Sequence, residues 1–174
     1  GNEHPTQALL DLYTIKKHLG RLDNLKIAFG FDPKHSRTIR SLALLLTHFK
    51  NNYFTFVCPK VLNPAPQFLA DIKKRGAEFE ITDNLSQFKQ YDIFYTNRLQ
   101  EERFENHKEF EQYRKALVLT KKLVQDSKTL IMDPLPRIDE IEVEVDTLPN
   151  AIYFDEAQNG LYVRMALLCY VLDL

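Results

Sequence analysis

The sequence predicts an α/β domain: a three-layer, doubly wound, Rossmann-like parallel sheet of about five strands, with helices on both faces. Three observations predict it. Short apolar runs rich in aromatic and β-branched residues alternate with amphipathic segments at helical spacing. The helical segments between strands are long enough for right-handed crossovers, which make the strands parallel. The 174 residues hold no internal repeat, no low-complexity tract and no Gly/Ser linker, and only 5 glycines, so one domain is expected.

Each element has a local reason. Pro5 fits the first turn of a helix, where its missing N–H is not needed. Ala8, Leu9, Leu12, Tyr13 and Ile15 then form an apolar face that ends at Gly20. Residues 25–31 read as a buried strand. Ser36 is placed to cap a helix carrying Leu42, Leu45, Leu46 and Phe49. Residues 53–58 are aromatic and β-branched and read as a strand. A helix over 66–75 stops near Gly76, followed by a strand at 78–82, a short helix at 85–89 and a strand at 93–96. Residues 101–117 are polar and helix-prone with a break near Asn106; 120–124 make one more helical turn. A strand at 130–132 is ended by Pro134 and Pro136. Residues 151–174 read as a closing helix with Ala157, Leu161, Met165 and Leu168 on one side.

The composition narrows the function classes. Apolar residues are 44% and charged residues 27%, which excludes a disordered chain. The 23 Lys and Arg are balanced by 24 Asp and Glu, which argues against a nucleic-acid binder. No apolar run approaches the ~18 residues needed to span a bilayer; the longest lie near 42–46 and 165–171. Two cysteines, Cys58 and Cys169, do not make a disulfide scaffold, and both are expected to be buried small apolar residues. No C-x-x-C or H-x-x-x-H spacing occurs, and His18, His48 and His107 sit in polar helical contexts, so no metal site is expected. A start without Met and without a signal peptide, straight into a helix signal, leads us to expect a cytoplasmic piece of a longer protein.

In a doubly wound sheet, ligands bind beyond the carboxyl ends of the strands, so the segments after strands are where chemistry is sought. In 32–38, Lys34, His35 and Arg37 put basic side chains at a helix N-terminus, which already favours anions; the alternative is a solvated polar turn. The segment lacks the glycine patterns of dinucleotide and P-loop sites. In 97–103, Arg98 is placed to fork onto a carboxylate or phosphate, with Gln100 beside it; the alternative is a charged first turn of a helix, with Glu101 and Glu102 near its N-terminus. In 133–137, Pro134 and Pro136 remove donors and hold the chain extended, leaving the carbonyls of 133–135 without ladder partners; the alternative is a rigid loop into the acidic 139–146 stretch. His4 and Gln7 share one face of the first helical turn and together could polarise a carbonyl and hold an amide. The pairs Arg114-Lys115 and Lys121-Lys122, interspersed with acids, read as a solvated face.

Taken together and in order, these clusters resemble aspartate carbamoyltransferase, specifically its C-terminal, aspartate-binding domain. The carrying residues are His4-Pro5-Thr6-Gln7-Ala8-Leu9-Leu10-Asp11-Leu12, Lys34-His35-Ser36-Arg37-Thr38 and Asn97-Arg98-Leu99-Gln100-Glu101-Glu102-Arg103. They continue through Pro134-Leu135-Pro136-Arg137, Asp139-Glu140-Ile141, Tyr153-Phe154 and Asn159-Gly160-Leu161-Tyr162-Val163-Arg164. The resemblance implies transfer of a carbamoyl group from carbamoyl phosphate to the amine of L-aspartate, in pyrimidine synthesis, without a cofactor or covalent nucleophile. It implies that Arg37, Arg98 and Gln100 hold the aspartate carboxylates and that His4 polarises the carbamoyl carbonyl. Gln7 and the carbonyls of Pro134 and Leu135 would hold the carbamoyl NH2. The related ornithine enzyme shares the His-Pro-x-Gln segment; Arg98-x-Gln100 points to an acidic second substrate.

The resemblance also implies that residues 1–174 are one domain of two. The carbamoyl-phosphate domain, with its Ser-Thr-Arg-Thr loop, has no counterpart here, so the chain is not expected to turn over alone. In the full-length protein the implied partners are that N-terminal domain, two further copies in a homotrimer, and regulatory chains. Four positions depart from the family pattern: Phe31 replaces a Gly, Pro33 an aliphatic residue, Asp133 a His and Glu156 a Gln. Phe31, Pro33 and Asp133 motivate an alternative, an inactive homologue kept as a binding or assembly module.

Overall fold

The computed structural model describes residues 3–101, 104 and 106–173. Five parallel strands form one sheet: β1 (Lys26–Gly30), β2 (Tyr53–Val57), β3 (Glu78–Thr82), β4 (Ile93–Tyr95) and β5 (Leu130–Met132). Their order is β3-β2-β1-β4-β5. The chain therefore steps outward from β1 to β3, then returns to the other side of β1. With right-handed crossovers, that return places the later connections on the opposite face of the sheet from the earlier ones.

The helices are α1 (Pro5–Leu19), α2 (Arg37–Leu46), α3 (Pro66–Lys74), α4 (His107–Ala116), α5 (Lys121–Val124) and α6 (Tyr153–Leu172). Pro5 sits in the first turn of α1, and Gly20 caps it in the left-handed conformation at φ 70°. Ser36 caps α2 by accepting the Ile39 N–H at 3.2 Å. Asn106 caps α4, which explains the expected break there. Thr120 caps α5. The segment expected as a short helix after β3 is a 3-10 turn, Leu85–Gln90. Helix α1 lies between α2 and α6 and touches both.

The core is aromatic. Phe29, Phe54, Phe56, Phe88 and Phe94 are fully buried, with Phe29 stacked on Phe56 at 5.6 Å and Phe88 against Phe94 at 5.3 Å. β1, β2 and β4 are apolar because both their faces are covered. β3 is an edge strand, and its Glu78 and Glu80 protect that edge from pairing with another chain.

One expectation fails at α6, the burial of Cys169. The side bearing Ala157, Leu161, Met165 and Leu168 is exposed; only Tyr153, Glu156, Asn159 and Gly160 of this helix are buried. Helical spacing correctly places these residues on one side, and nothing among the described residues covers that side. Cys169 is exposed for the same reason, whereas Cys58 is buried as expected.

Gly30 ends β1 under tight packing: a Cβ added there would lie 2.8 Å from the ring of Phe94, itself fully buried. Gly30→Ala is therefore expected to destabilise the domain by about 1–3 kcal/mol through overpacking, read from urea unfolding midpoints. An unchanged midpoint would contradict this placement of the ring.

Candidate active site

The strand order reverses between β1 and β4, and a cavity of about 580 Å³ opens at the carboxyl ends of these strands and β5. All seven residues singled out in the sequence line it: His4, Gln7, Arg37, Arg98, Gln100, Pro134 and Leu135. His35, Ser36, Thr38, Asn97, Asp133 and Pro136 complete the lining.

Helix α1 delivers His4 and Gln7. The His4 backbone N–H donates to the Ser41 hydroxyl on α2 at 2.8 Å. Glu3 fastens the same corner, accepting from Ser41 at 2.5 Å and from Arg40 at 2.8 Å. Gln7 is buried, and its side-chain Nε2 donates to Asp11 at 2.8 Å and to Glu156 at 3.3 Å. With both amide hydrogens engaged inward, its Oε1 is left as an acceptor toward the cavity.

The β1–α2 turn delivers Arg37. Asp32 is fully buried and accepts the His35 N–H at 3.1 Å and the His35 ring Nδ1 at 2.9 Å. Burial pushes the Asp32 carboxyl above its usual range, with the nearby His35 opposing the shift. Arg37 is exposed at the cavity wall and has no ion-pair partner among the described residues. The basic cluster expected here divides: Lys34 turns away and donates to the Val61 carbonyl at 3.1 Å.

Asn97 opens the 97–103 segment, but the sequence reading gave it no role of its own. Its side chain accepts the Asp32 N–H at 3.3 Å and donates to the Arg98 carbonyl at 3.1 Å, tying the β1 and β4 ends together across the reversal. Its position directly after a strand was the available signal. Glu102 and Arg103 of the same motif lie outside the described residues.

The loop after β5 supplies carbonyls. Leu135 takes the left-handed conformation at φ 54°, unusual for a non-glycine residue. The Asp133 carboxylate side accepts the Leu135 N–H at 2.7 Å and holds that turn closed. Among the described residues, no hydrogen bond reaches the carbonyls of Pro134 or Leu135. Arg137 is committed elsewhere: it forks onto Asp146 and lies over the Tyr153 ring at 5.6 Å, anchoring the loop from below.

The departures at Phe31, Pro33 and Asp133 do not obstruct the cavity. Phe31 is fully buried against Phe94, and neither it nor Pro33 lines the cavity. Asp133 does line it but is 2% exposed. Burial first, then neighbouring Glu140, push its carboxyl well above the usual carboxylate range. The upward shift lessens the repulsion that its carboxyl would exert on an anionic ligand. Among the described residues no group of three or more His, Cys, Asp or Glu is arranged to hold a metal ion, and no helix is long and apolar enough to cross a membrane.

Residues 23–171 match the family model of the aspartate/ornithine carbamoyltransferase Asp/Orn binding domain. The chain belongs to this family. It is 46% identical over 167 residues to the aspartate carbamoyltransferase catalytic subunit of Methanosphaera stadtmanae, covering 95% of this chain and 55% of that protein. It superposes on the catalytic subunit of M. jannaschii aspartate transcarbamoylase with a TM-score of 0.94 at 40% identity, covering 98% of this chain and 57% of that one. The Trypanosoma cruzi enzyme in complex with aspartate and phosphate gives 0.82 at 34% identity, covering 95% and 53%. The chain thus spans about half the length of these relatives. The family model begins after α1, so His4 and Gln7 lie outside its matched range.

Because folded Asp133 keeps its proton to higher pH than the unfolded chain, whose value is near 3.8, its contribution to stability is intact below about pH 4 and falls as pH rises through the folded value. Asp133→Asn keeps the acceptor for Leu135 and cannot ionise. We expect the variant to gain on the wild type by up to about 1.4 kcal/mol per pH unit across that window, measured by urea unfolding between pH 4 and pH 8. Parallel stability curves would show that Asp133 ionises freely.

Proposed function

We propose that this chain is the aspartate-binding half of an aspartate carbamoyltransferase catalytic subunit. The observation that carries the proposal is the convergence of His4, Gln7, Arg37, Arg98, Gln100, Pro134 and Leu135 on one cavity at the switch point of the sheet. Its walls carry guanidinium groups suited to a dianionic substrate. Its other side offers an amide oxygen and unpaired carbonyls suited to an NH2 group.

In this reading Arg37, Arg98 and Gln100 hold the two carboxylates of L-aspartate. The carbamoyl group of carbamoyl phosphate lies with its NH2 against Gln7 Oε1 and the carbonyls of Pro134 and Leu135. Its carbonyl oxygen faces His4, which stabilises the developing negative charge. The unprotonated aspartate amine attacks the carbamoyl carbon, the C–O bond to phosphate breaks, the amine proton passes to the departing phosphate, and the products are N-carbamoyl-L-aspartate and phosphate. Catalysis is chiefly placement of two reactants at near-attack distance, an effect able to supply about 7–11 kcal/mol.

The reading makes residues 1–174 the aspartate domain and assigns carbamoyl-phosphate binding to another domain of the full-length protein. The exposed apolar side of α6, with Leu161, Met165 and Leu168 each more than half exposed, supports this, because contiguous apolar surface of that kind is normally covered. In the same reading the complete protein is a cytoplasmic homotrimer of pyrimidine synthesis that accepts regulatory chains.

The test is turnover by the full-length protein with carbamoyl phosphate and L-aspartate. Carbamoyl aspartate is expected from the complete protein and none from this chain alone. Arg37→Ala and Arg98→Ala should each raise the aspartate KM about tenfold or more, since a hydrogen bond to a charged group contributes about 1.5–3 kcal/mol. No product from the assembled wild type would replace this reading with that of an inactive homologue.

A further inference from the structure

Beneath the cavity floor lies a polar cluster that the proposed reaction does not itself use. Asp11 on α1 and Glu156 on α6 are both buried, at 0% and 1% exposure. Both accept from the same Gln7 Nε2, at 2.8 Å and 3.3 Å, which brings the two carboxyls side by side. Asp11 also accepts from the Tyr95 hydroxyl at 3.0 Å. Glu156 Oε2 accepts the Asp133 backbone N–H at 3.0 Å. One side chain therefore joins the two groups that flank the proposed carbamoyl NH2: Gln7 on one side and the start of the Asp133-Pro134-Leu135 turn on the other.

Two carboxylates this close and this buried cannot both ionise at little cost. The charged and titratable groups facing the pair among the described residues are few. Tyr95 donates to Asp11 from β4, and Asp133 lies beside Glu156 at the end of β5. Arg164, one helical turn beyond Gly160 on α6, acts on Asp11 at longer range. Through Asp133, Glu140 adds negative and Arg137 positive charge. Among the described residues, the cations named as acting on Asp11, Glu156 and Asp133 are the exposed Arg164 and the already engaged Arg137.

We propose, resting on the function assigned above, that Glu156 is a positioning residue acting as a neutral carboxylic acid. It donates its proton to Asp11 and accepts the Asp133 N–H, so that Gln7 Oε1 and the Pro134 and Leu135 carbonyls face the substrate NH2 together. Burial raises both carboxyls, Asp11 to about 7 and Glu156 well above its ordinary range, which agrees with one proton kept on the pair. A neutral acid has the same donor-and-acceptor pattern as an amide. That accounts for Glu156 in this chain where the resemblance implies Gln: the two are equivalent while the proton stays. They cease to be equivalent when it leaves, because Asp11 and Glu156 then repel and the Gln7 anchor is disturbed.

The experiment compares wild type, Glu156→Gln and Glu156→Ala in the full-length protein, with thermal melting to confirm folding. Near neutrality Glu156→Gln should stay within about twofold of wild-type kcat/KM for carbamoyl phosphate, while Glu156→Ala falls about tenfold or more. Above the last ionisation of the pair, wild type should fall relative to Glu156→Gln, by up to about tenfold per pH unit. Matching alkaline limbs, or a Gln variant as impaired as the Ala variant, would overturn the proposal. If wild type makes no product, the functional reading fails and the inference is read instead by infrared spectroscopy. The protonated-carboxyl stretch at neutral pH should lose one component in Glu156→Gln, and an unchanged band would overturn it.

Discussion

The reversal of strand order between β1 and β4 is the constraint on which the rest of the structure depends. On either side of that line the crossovers leave on opposite faces, so no connection covers the carboxyl ends of the two strands. The gap is lined by the short polar turns that follow β1, β4 and β5. Asn97 bridges it, the β1 turn supplies Arg37, the β4 end supplies Arg98 and Gln100, and the β5 end supplies carbonyls. The aromatic core beneath keeps these ends in register, with Gly30 admitting the Phe94 ring where a side chain would not fit.

The charge distribution around the cavity is layered. Guanidinium groups stand at the walls, while acids are buried in and behind the floor: Asp133 in the lining, and Asp32, Asp11 and Glu156 behind it. Were those acids all ionised, they would cancel much of the field that a dianionic ligand needs. Burial raises each of them, so the floor provides hydrogen-bond geometry at reduced charge. The same burial stabilises the loop after β5, where Asp133 closes a turn around a left-handed Leu135 and Glu156 holds the Asp133 N–H.

Much of this was legible in the sequence, for identifiable reasons. Strand and helix positions followed from periodicity, the cap at Ser36 from a side chain that accepts a backbone N–H, and the break near Asn106 from a polar residue that the structure shows to be a cap. The cavity residues were legible because a doubly wound sheet binds at strand ends, which directs attention to three short segments. What escaped was whatever depends on contacts between distant segments. Periodicity places Leu161, Met165 and Leu168 on one side of α6 but cannot say what covers it. The Asp133 substitution read as a departure that favours an inactive homologue, because its burial beside Glu140 is a tertiary fact. Asn97 looked like an ordinary residue after a strand, since its role requires knowing that β1 and β4 are neighbours. The Asp11–Glu156 pair joins residues 145 positions apart and has no local signal.

The central claim is that this cavity receives aspartate and a carbamoyl group side by side. The most direct measurement is a crystal structure of the full-length protein with a bisubstrate analogue, an aspartate whose amine carries a phosphonoacetyl group. The account predicts both aspartate carboxylates at Arg37, Arg98 and Gln100, and the linking carbonyl oxygen near His4. An analogue bound with its carboxylates away from both guanidinium groups, or outside the β1–β4 cavity, would contradict it.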